Sequence, residues 1–271
     1  MKIALVQLNS VNDIRKNLSE IEVLIRKCGE APERERPKII FFPENSLFFR
    51  IDEGEKIQAI SLNDDVFNKL SRLSLDTGIQ LHITTALFDA EKVWNASVLI
   101  VPNQPPKIMY KKIHLFDIAL VGQRPIRESD VFSEGVQPSV FEIDGIKFGS
   151  SICYDLRFSE LYRVYARQEV DVILIPAAFL VKTGIAHWDV LLRARAIESQ
   201  CYVLAPAQSG VHRSVSSDQT RSTFGHTMAV GPWGDVLCQK PSETGILMLD
   251  ISPDVCRQVR QQIPMKNHRR L

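Results

Sequence analysis

Apolar residues fall along the chain in short, nearly unbroken bursts, separated by polar stretches that carry a helical period. Bursts of strand length occur at Ile3–Leu8, Ile39–Phe42, Leu81–Leu87, Ser97–Val101, Lys147–Cys153, Val170–Ile175, Cys201–Ala205 and Ile246–Asp250. Runs this continuous and rich in Val, Ile, Leu and Phe predict strands covered on both faces. Between them, Leu18, Ile21, Leu24 and Ile25 recur at helix spacing after Asn12–Asp13, and Val66, Leu70 and Leu73 do so after Asn63–Asp64. Leu161, Val164 and Tyr165 follow Ser159, an N-cap with Glu160 in the first turn, and Val190, Leu191, Ala194 and Ile197 mark a helix before Cys201. Strand alternating with helix predicts an α/β fold, with an antiparallel hairpin inside Trp94–His114. No repeat or low-complexity linker interrupts the pattern, so a single domain over residues 1–271 is expected.

Composition narrows the function. The 271 residues carry 33 Lys+Arg against 32 Asp+Glu, a formal net charge of +1, which argues against a nucleic-acid partner. The one cationic cluster, Lys266, His268, Arg269 and Arg270, reads as a solvated tail. No apolar run approaches the ~20 residues of a membrane span, so no membrane partner is expected. The apolar part of the opening MKIALVQLNS is too short for a signal-peptide core. Cys28, Cys153, Cys201, Cys238 and Cys256 are odd in number and contain no C-x-x-C pair, which fits free thiols in a cytoplasmic setting. Nucleotide-binding glycine motifs and the G-x-S-x-G elbow are absent, and the six histidines do not pair at ligand spacing. Neither metal nor cofactor is expected, and the chemistry falls to side chains.

Four segments break the buried-strand pattern. Phe41-Phe42-Pro43-Glu44-Asn45 delivers a carboxylate at a strand end, readable as a cap or as a general base. Tyr110-Lys111-Lys112-Ile113-His114 sets a lysine pair in an apolar run; alternation puts Lys112 on the side of Tyr110 and His114, and Lys111 opposite. One lysine of the pair would be solvated and the other a cation for developing negative charge. Ser150-Ser151-Ile152-Cys153-Tyr154-Asp155 runs from strand through turn to helix, where a helix terminus favours a thiolate; otherwise Cys153 is an inert core thiol. Arg127-Glu128-Ser129-Asp130 alone is a charged loop. An acid, a lysine and a cysteine, each ending an apolar strand, form a complete set for acyl transfer from an amide.

At these residues the chain resembles the nitrilase superfamily of carbon–nitrogen hydrolases. The three family blocks occur in order as FFPEN, YKKIHLF and SICYDLRF, with further likeness at RESD, at the stretch from Thr183 and at GHTMAVGPWGDVL. The resemblance implies a four-layer αββα sandwich, a catalytic triad of Glu44, Lys112 and Cys153, Glu128 as a second glutamate beside Lys112, and no cofactor. It also implies a homodimer or larger homo-oligomer.

HWDVLLRARAIESQCYVLAPAQ resembles the deaminated glutathione amidase branch, where the ω-amidases have Ser-Pro at Ala207-Gln208. Lys111, Ser159 and Thr227 depart from the common residues. The expected reaction is hydrolysis of a small carboxylate-bearing amide to acid and ammonia through a thioester, deaminated glutathione being the leading substrate. The alternatives are an ω-amidase for α-ketoglutaramate or another small amide or nitrile, and a non-catalytic binding protein. The Tyr154 backbone N–H would join Lys112 at the oxyanion. Arg157 would bind a substrate carboxylate or else Asp155 and helix carbonyls, and Thr183, read as a loop residue, would add a hydroxyl.

Overall fold

The computed structural model describes residues 1–52, 54–119 and 125–270. Its first half runs β1 (Lys2–Gln7), α1 (Ile14–Gly29), β2 (Ile39–Phe41), α2 (Asp65–Thr77), β3 (Gln80–Asp89), β4 (Lys92–Ile100) and β5 (Lys107–Lys111). A short ribbon, β6 (Asp117–Ile118) with β7 (Ile126–Arg127), leads to β8 (Ser139–Ile143), β9 (Ile146–Ser150), α3 (Ser159–Arg167), β10 (Val172–Leu174), α4 (Val181–Ser199) and β11 (Tyr202–Ala205). The hairpin β12 (Ser209–Arg213) and β13 (Thr220–Phe224) precedes β14 (Thr227–Val230), β15 (Val236–Lys240), β16 (Gly245–Asp250), α5 (Pro253–Gln262) and α6 (Met265–His268).

Two six-stranded sheets result, ordered β16-β1-β2-β3-β4-β5 and β15-β14-β11-β10-β9-β8. Strands β1, β2 and β3 are parallel, as are β9, β10 and β11, and the flanking pairs are antiparallel. Alternation along the strands decides the layers. Ala4, Val6, Ile40, Leu81 and Ile83 pack outward on Leu18, Ile21 and Ile25 of α1 and Phe67 and Leu70 of α2. Ile3, Leu5, Ile39 and Phe41 point inward to the second sheet, where the Phe41 ring lies 5.8 Å from that of Phe148. The far face of the second sheet carries α3 and α4; a Cβ on Gly149 would stand 2.8 Å from the Tyr165 ring, so only glycine lets α3 seat here. This is the expected αββα sandwich. Burial of each large side chain contributes on the order of 1.5–3 kcal/mol.

Asp13 caps α1, its side chain accepting from the Lys16 N–H at 2.9 Å. Elsewhere the sequence reading needs correction. The strand expected over Lys147–Cys153 ends at Ser150, and Ser159 is the first residue of α3 rather than its cap. In α4 the buried side is Gly184, Trp188, Leu192, Arg195, Ala196 and Ser199, leaving Val190 and Ile197 66% and 48% exposed. The stripe that marked this helix therefore includes outward-facing positions. The cationic C-terminal cluster is docked as well as solvated: Lys266 pairs with Glu169 at 2.6 Å and Arg269 donates to the Glu198 carbonyl at 2.7 Å.

The inward face of β3 also carries His82, buried between the rings of Phe41 and Phe141 at 5.6 and 6.3 Å. Neither ring nitrogen has a partner among the described residues, and burial lowers its pKa from 6.5 to about 4. Burial lowers that of His212 to about 4 too, although its ring meets Ser10 O and Thr223 Oγ1. Both histidines bind protons more readily unfolded than folded, so their contribution to stability is complete above pH 6.5 and drains away as pH falls toward 4. Urea unfolding across this range is expected to show the loss, with His82→Leu removing its own share, roughly 3 kcal/mol by pH 4.

Candidate active site

The site lies where the parallel strands of both sheets end. The Phe42 N–H donates to His82 O at 2.9 Å, prolonging the β2–β3 ladder by one residue; Pro43 then offers no N–H, and Asn45 turns the chain with φ of 57°. Glu44 is thereby left at the sheet end, 3% exposed, with its backbone carbonyl accepting from Gln208 Nε2 at 3.0 Å.

Lys112 follows β5 and remains tied to β4, its N–H donating to Asn95 O at 2.9 Å. The expected alternation holds: Lys111 reaches Asp89 at 2.8 Å and lies 4.0 Å over the Trp94 ring, while Lys112 turns inward. Its carbonyl accepts from the N–H of Gly135, where a Cβ would come within 2.1 Å of Lys111 O, so that position requires glycine.

The Lys112 ammonium, 2% exposed, lies 2.9 Å from Glu44 Oε1 and 3.0 and 2.8 Å from Glu128 Oε1 and Oε2. Glu128 opens a 3₁₀ turn after β7, and its Oε2 also accepts from the Phe116 N–H at 2.6 Å. Burial alone would lower the lysine pKa, but the carboxylates of Glu128 and Glu44 outweigh it and hold the group well above its usual range.

Cys153 begins a 3₁₀ turn, Cys153–Arg157, in a left-handed conformation with φ of 48°. For a residue with a side chain this is strain, of order 1–3 kcal/mol. Two anchors over-determine it. The Cys153 N–H donates to Pro176 O at 3.0 Å. Asp155, wholly buried, accepts from Ile152 N–H and Tyr110 OH, both at 2.8 Å, and from the His114 N–H and ring Nδ1 at 3.0 and 2.7 Å. Asp155 thus ties the residues on either side of Lys112 to the turn that carries the thiol.

The thiolate expected at a helix terminus is not what this environment favours. Burial pushes the Cys153 thiol well above its ordinary pKa, the Glu44 charge and hydrogen bond add to this, and Lys112 and the Ala178 N–H oppose it only in part. The balance favours the protonated thiol, with the Glu44 carboxylate beside it. The thiols of Cys28, Cys201, Cys238 and Cys256 are also pushed up by burial, with no carboxylate–lysine pair beside them among the described residues.

Above the thiol opens a cleft of about 700 Å³, measured out to its mouth, with apolar walls that include Phe48, Phe49, Phe116, Phe132 and Phe179. Apolar walls around a few convergent polar groups suit a small organic substrate. Tyr154 lines it, its ring edge-on to Phe116 and Phe158. Arg157 lines it too, donating to His187 Nδ1 at 3.0 Å, with its guanidinium carbon 5.4 Å from the Phe179 ring centre. Asp155, the alternative partner for Arg157, has its oxygens filled by other donors. Thr183 reaches the cleft from the first turn of α4 rather than from a loop, its hydroxyl donating to Leu180 O at 3.2 Å.

Sequence reasoning passed over Asn95, Arg50, Arg221 and the clamp on Asp155. Arg50 and Arg221 line the cleft, and Arg221 donates to Arg50 O at 3.3 Å. For Asn95 a signal existed: asparagine is disfavoured in strands, and Trp94-Asn95-Ala96-Ser97-Val98 carries it mid-strand on the same face as Ser97.

Residues 2–261 match the family model for carbon-nitrogen hydrolases. A deaminated glutathione amidase from Synechocystis sp. is 37% identical over 274 residues, spanning 98% of this chain and 97% of that protein. Among solved structures, the Caenorhabditis elegans NitFhit protein superposes with a TM-score of 0.84 at 31% identity over 99% of this chain, which spans 65% of that longer protein. Saccharomyces cerevisiae Nit3, of the nitrilase superfamily, gives 0.81 at 27% identity over 100% and 97% of the two chains. The chain belongs to the carbon–nitrogen hydrolase family, and the hydrolysis of a carbon–nitrogen bond is its chemistry.

Removing the ammonium would leave two carboxylates, 4% and 11% exposed, facing one another. Lys112→Met is therefore expected to cost about 3–5 kcal/mol in urea unfolding at pH 7.

Proposed function

We propose that this chain is a cysteine-dependent amidase in which Glu44, Lys112 and Cys153 carry the chemistry. The observation that bears most weight is the buried cluster at the floor of the cleft, where Glu44 Oε1 accepts from Lys112 Nζ at 2.9 Å and the Cys153 thiol, its pKa raised by burial and by the Glu44 charge, shares the pocket with both. A thiol held neutral needs its proton removed as it attacks, and Glu44 is the base within reach. Cys153 adds to the amide carbonyl while Glu44 takes the thiol proton. Lys112 and the Tyr154 backbone N–H stabilise the oxyanion, each such donor contributing on the order of 3 kcal/mol. Glu44 then protonates the departing nitrogen, leaving a thioester, and activates the water that hydrolyses it. Glu128 fixes Lys112 from the opposite side.

The proposed substrate is deaminated glutathione, the compound named for the Synechocystis relative. Its keto-acid carboxylate suits the Arg157 guanidinium, which lines the same cleft as Cys153 and Thr183. The susceptible amide of this compound is secondary, so its products are a keto diacid and cysteinylglycine; ammonia would leave only from a primary amide such as α-ketoglutaramate.

The working unit proposed is one catalytic domain over residues 1–271, paired as a homodimer. Val190 and Ile197 share the outer face of α4, and Ile197 abuts Gly234 beside Trp233, itself 58% exposed. An apolar patch that joins a helix to a loop in this way is the surface a second copy would cover. All five cysteines are free, which fits a reducing compartment such as the cytoplasm.

Amine release from deaminated glutathione, α-ketoglutaramate, glutamine, asparagine and a simple nitrile tests the reading. Turnover selective for deaminated glutathione and abolished by Cys153→Ala is the expected outcome; activity confined to α-ketoglutaramate would reassign the enzyme as an ω-amidase. Arg157→Gln is expected to raise KM about tenfold for carboxylate-bearing amides, and an unchanged KM would remove Arg157 from recognition. In light scattering, Val190→Glu with Ile197→Glu is expected to convert a dimer to monomers.

A further inference from the structure

Asn95, wholly outside the triad, makes the most demanding contacts in the site. Its Nδ2 donates to Glu44 Oε1 at 2.8 Å and to Glu128 Oε1 at 2.9 Å, the same two oxygens that accept from Lys112 Nζ. Two nitrogens and two oxygens thus close a ring of four hydrogen bonds. Asn95 is 1% exposed, and its Oδ1 is buried with no partner among the described residues. A leucine of similar volume would spare β4 that unmet acceptor, so the fold alone gives no reason for an amide here.

We propose that Asn95 is a positioning residue for the hydrolytic reaction, holding the Glu44 carboxylate so that Oε2 faces Cys153 and releasing Lys112 to turn one N–H toward the oxyanion. This rests on the roles proposed above for Glu44, Lys112 and Cys153. The ammonium has three hydrogens and three carboxylate contacts at 2.8–3.0 Å, so at rest none is left for a substrate oxygen. With Oε1 of Glu44 occupied by two donors, Oε2 is the oxygen left for the thiol.

During attack the S–H bond breaks, an O–H bond forms on Oε2, the S–C bond forms and the carbonyl π pair moves to oxygen. Glu44 becomes neutral and its hold on Lys112 weakens, so the N–H that met Oε1 swings to the new oxyanion. Asn95 keeps Oε1 occupied throughout, and the carboxyl group does not rotate. The charged and titratable groups facing Glu44 are Lys112 after β5, Glu128 across the same ring and Cys153 after β9.

The test uses Asn95→Leu and Asn95→Ser, with melting temperature measured first and Cys153→Ala alongside; serine, smaller than either, carries the test should the leucine variant not fold. Kinetics use the amide that wild type turns over fastest, and iodoacetamide labelling of Cys153 reports the thiol without substrate. The expected result is a kcat roughly 10- to 100-fold lower with KM within about twofold. The acid limb of both the kcat/KM and labelling profiles moves to higher pH, since a carboxylate deprived of a donor takes its proton more readily. A lowered melting temperature with kcat and both limbs as in wild type would overturn the inference. Full turnover by Cys153→Ala would instead overturn the reading of the site, and wild-type kinetics in the Asn95 variants beside an inactive Cys153→Ala would overturn the role of Asn95 alone.

Discussion

An ammonium buried between two carboxylates is the constraint around which this molecule is arranged. Lys112, Glu44 and Glu128 are each nearly inaccessible, and a charge taken out of water costs several kcal/mol unless its partners are held in good geometry. No short stretch of chain can supply that. Glu44 comes from the end of β2, Lys112 from the end of β5 and Glu128 from a turn after β7, while Asn95 in β4 joins the two glutamates. The first sheet fixes the spacing of β2, β4 and β5 by its ladders, and the bulge between β4 and β5 at Ser97/Val98 sets the register just before Lys112. The ion cluster and the sheet are mutually dependent: the ladder places the charges, and misplaced charges would be too costly to bury.

The proposed nucleophile belongs to the other sheet, so its alignment depends on contacts between the layers. Asp155 supplies them, with four hydrogen bonds that join the Tyr110–His114 segment to the turn at Ile152. Stacking of His114 on Phe158 at 3.7 Å closes the same junction from the side. A left-handed cysteine is tolerable only inside such a clamp. Gln208 adds a second tie, its N–H on Ala177 O and its side chain on Glu44 O, so Glu44 and the segment next to the thiol share one support.

Much of this was legible in the sequence wherever a chemically active residue interrupts an apolar run. Glu44, Lys112 and Cys153 stand out because a buried strand has no use for them; alternation put Lys111 and Lys112 on opposite sides, and the family motif picked Lys112. Glu128 carried no such signal; in a charged turn it looks like solvated surface, and only the family resemblance singled it out. Asn95 was hidden because its importance comes from two partners 51 and 33 residues away. Periodicity found α4 but could not say which stripe meets the sheet: Trp188 and the aliphatic stem of Arg195 are buried, while Val190 and Ile197 face outward. The hairpin β12–β13 escaped because its residues are mostly polar and its pairing is local. Thr183 was misassigned for a related reason, since Lys182, Thr183 and Gly184 give a helix start no apolar marker.

The charge inventory of the site explains why a neutral thiol and a fixed lysine belong together. At rest the ammonium and two carboxylates sum to a single negative charge. In the proposed attack, the proton that leaves sulfur stays on Glu44, and the charge that leaves the carboxylate reappears on the substrate oxygen. The buried sum does not change. A mechanism that began from a thiolate would add a second negative charge to the same volume before any bond formed, and burial penalises that state, as the raised thiol pKa records. Holding the proton until attack lets the surrounding dipoles stay as they are, so little reorganisation is needed as the oxyanion forms. The lysine matters to this scheme because it is never neutralised: Glu128 keeps it charged when Glu44 takes its proton, and the positive end of the site is in place before the negative charge arrives.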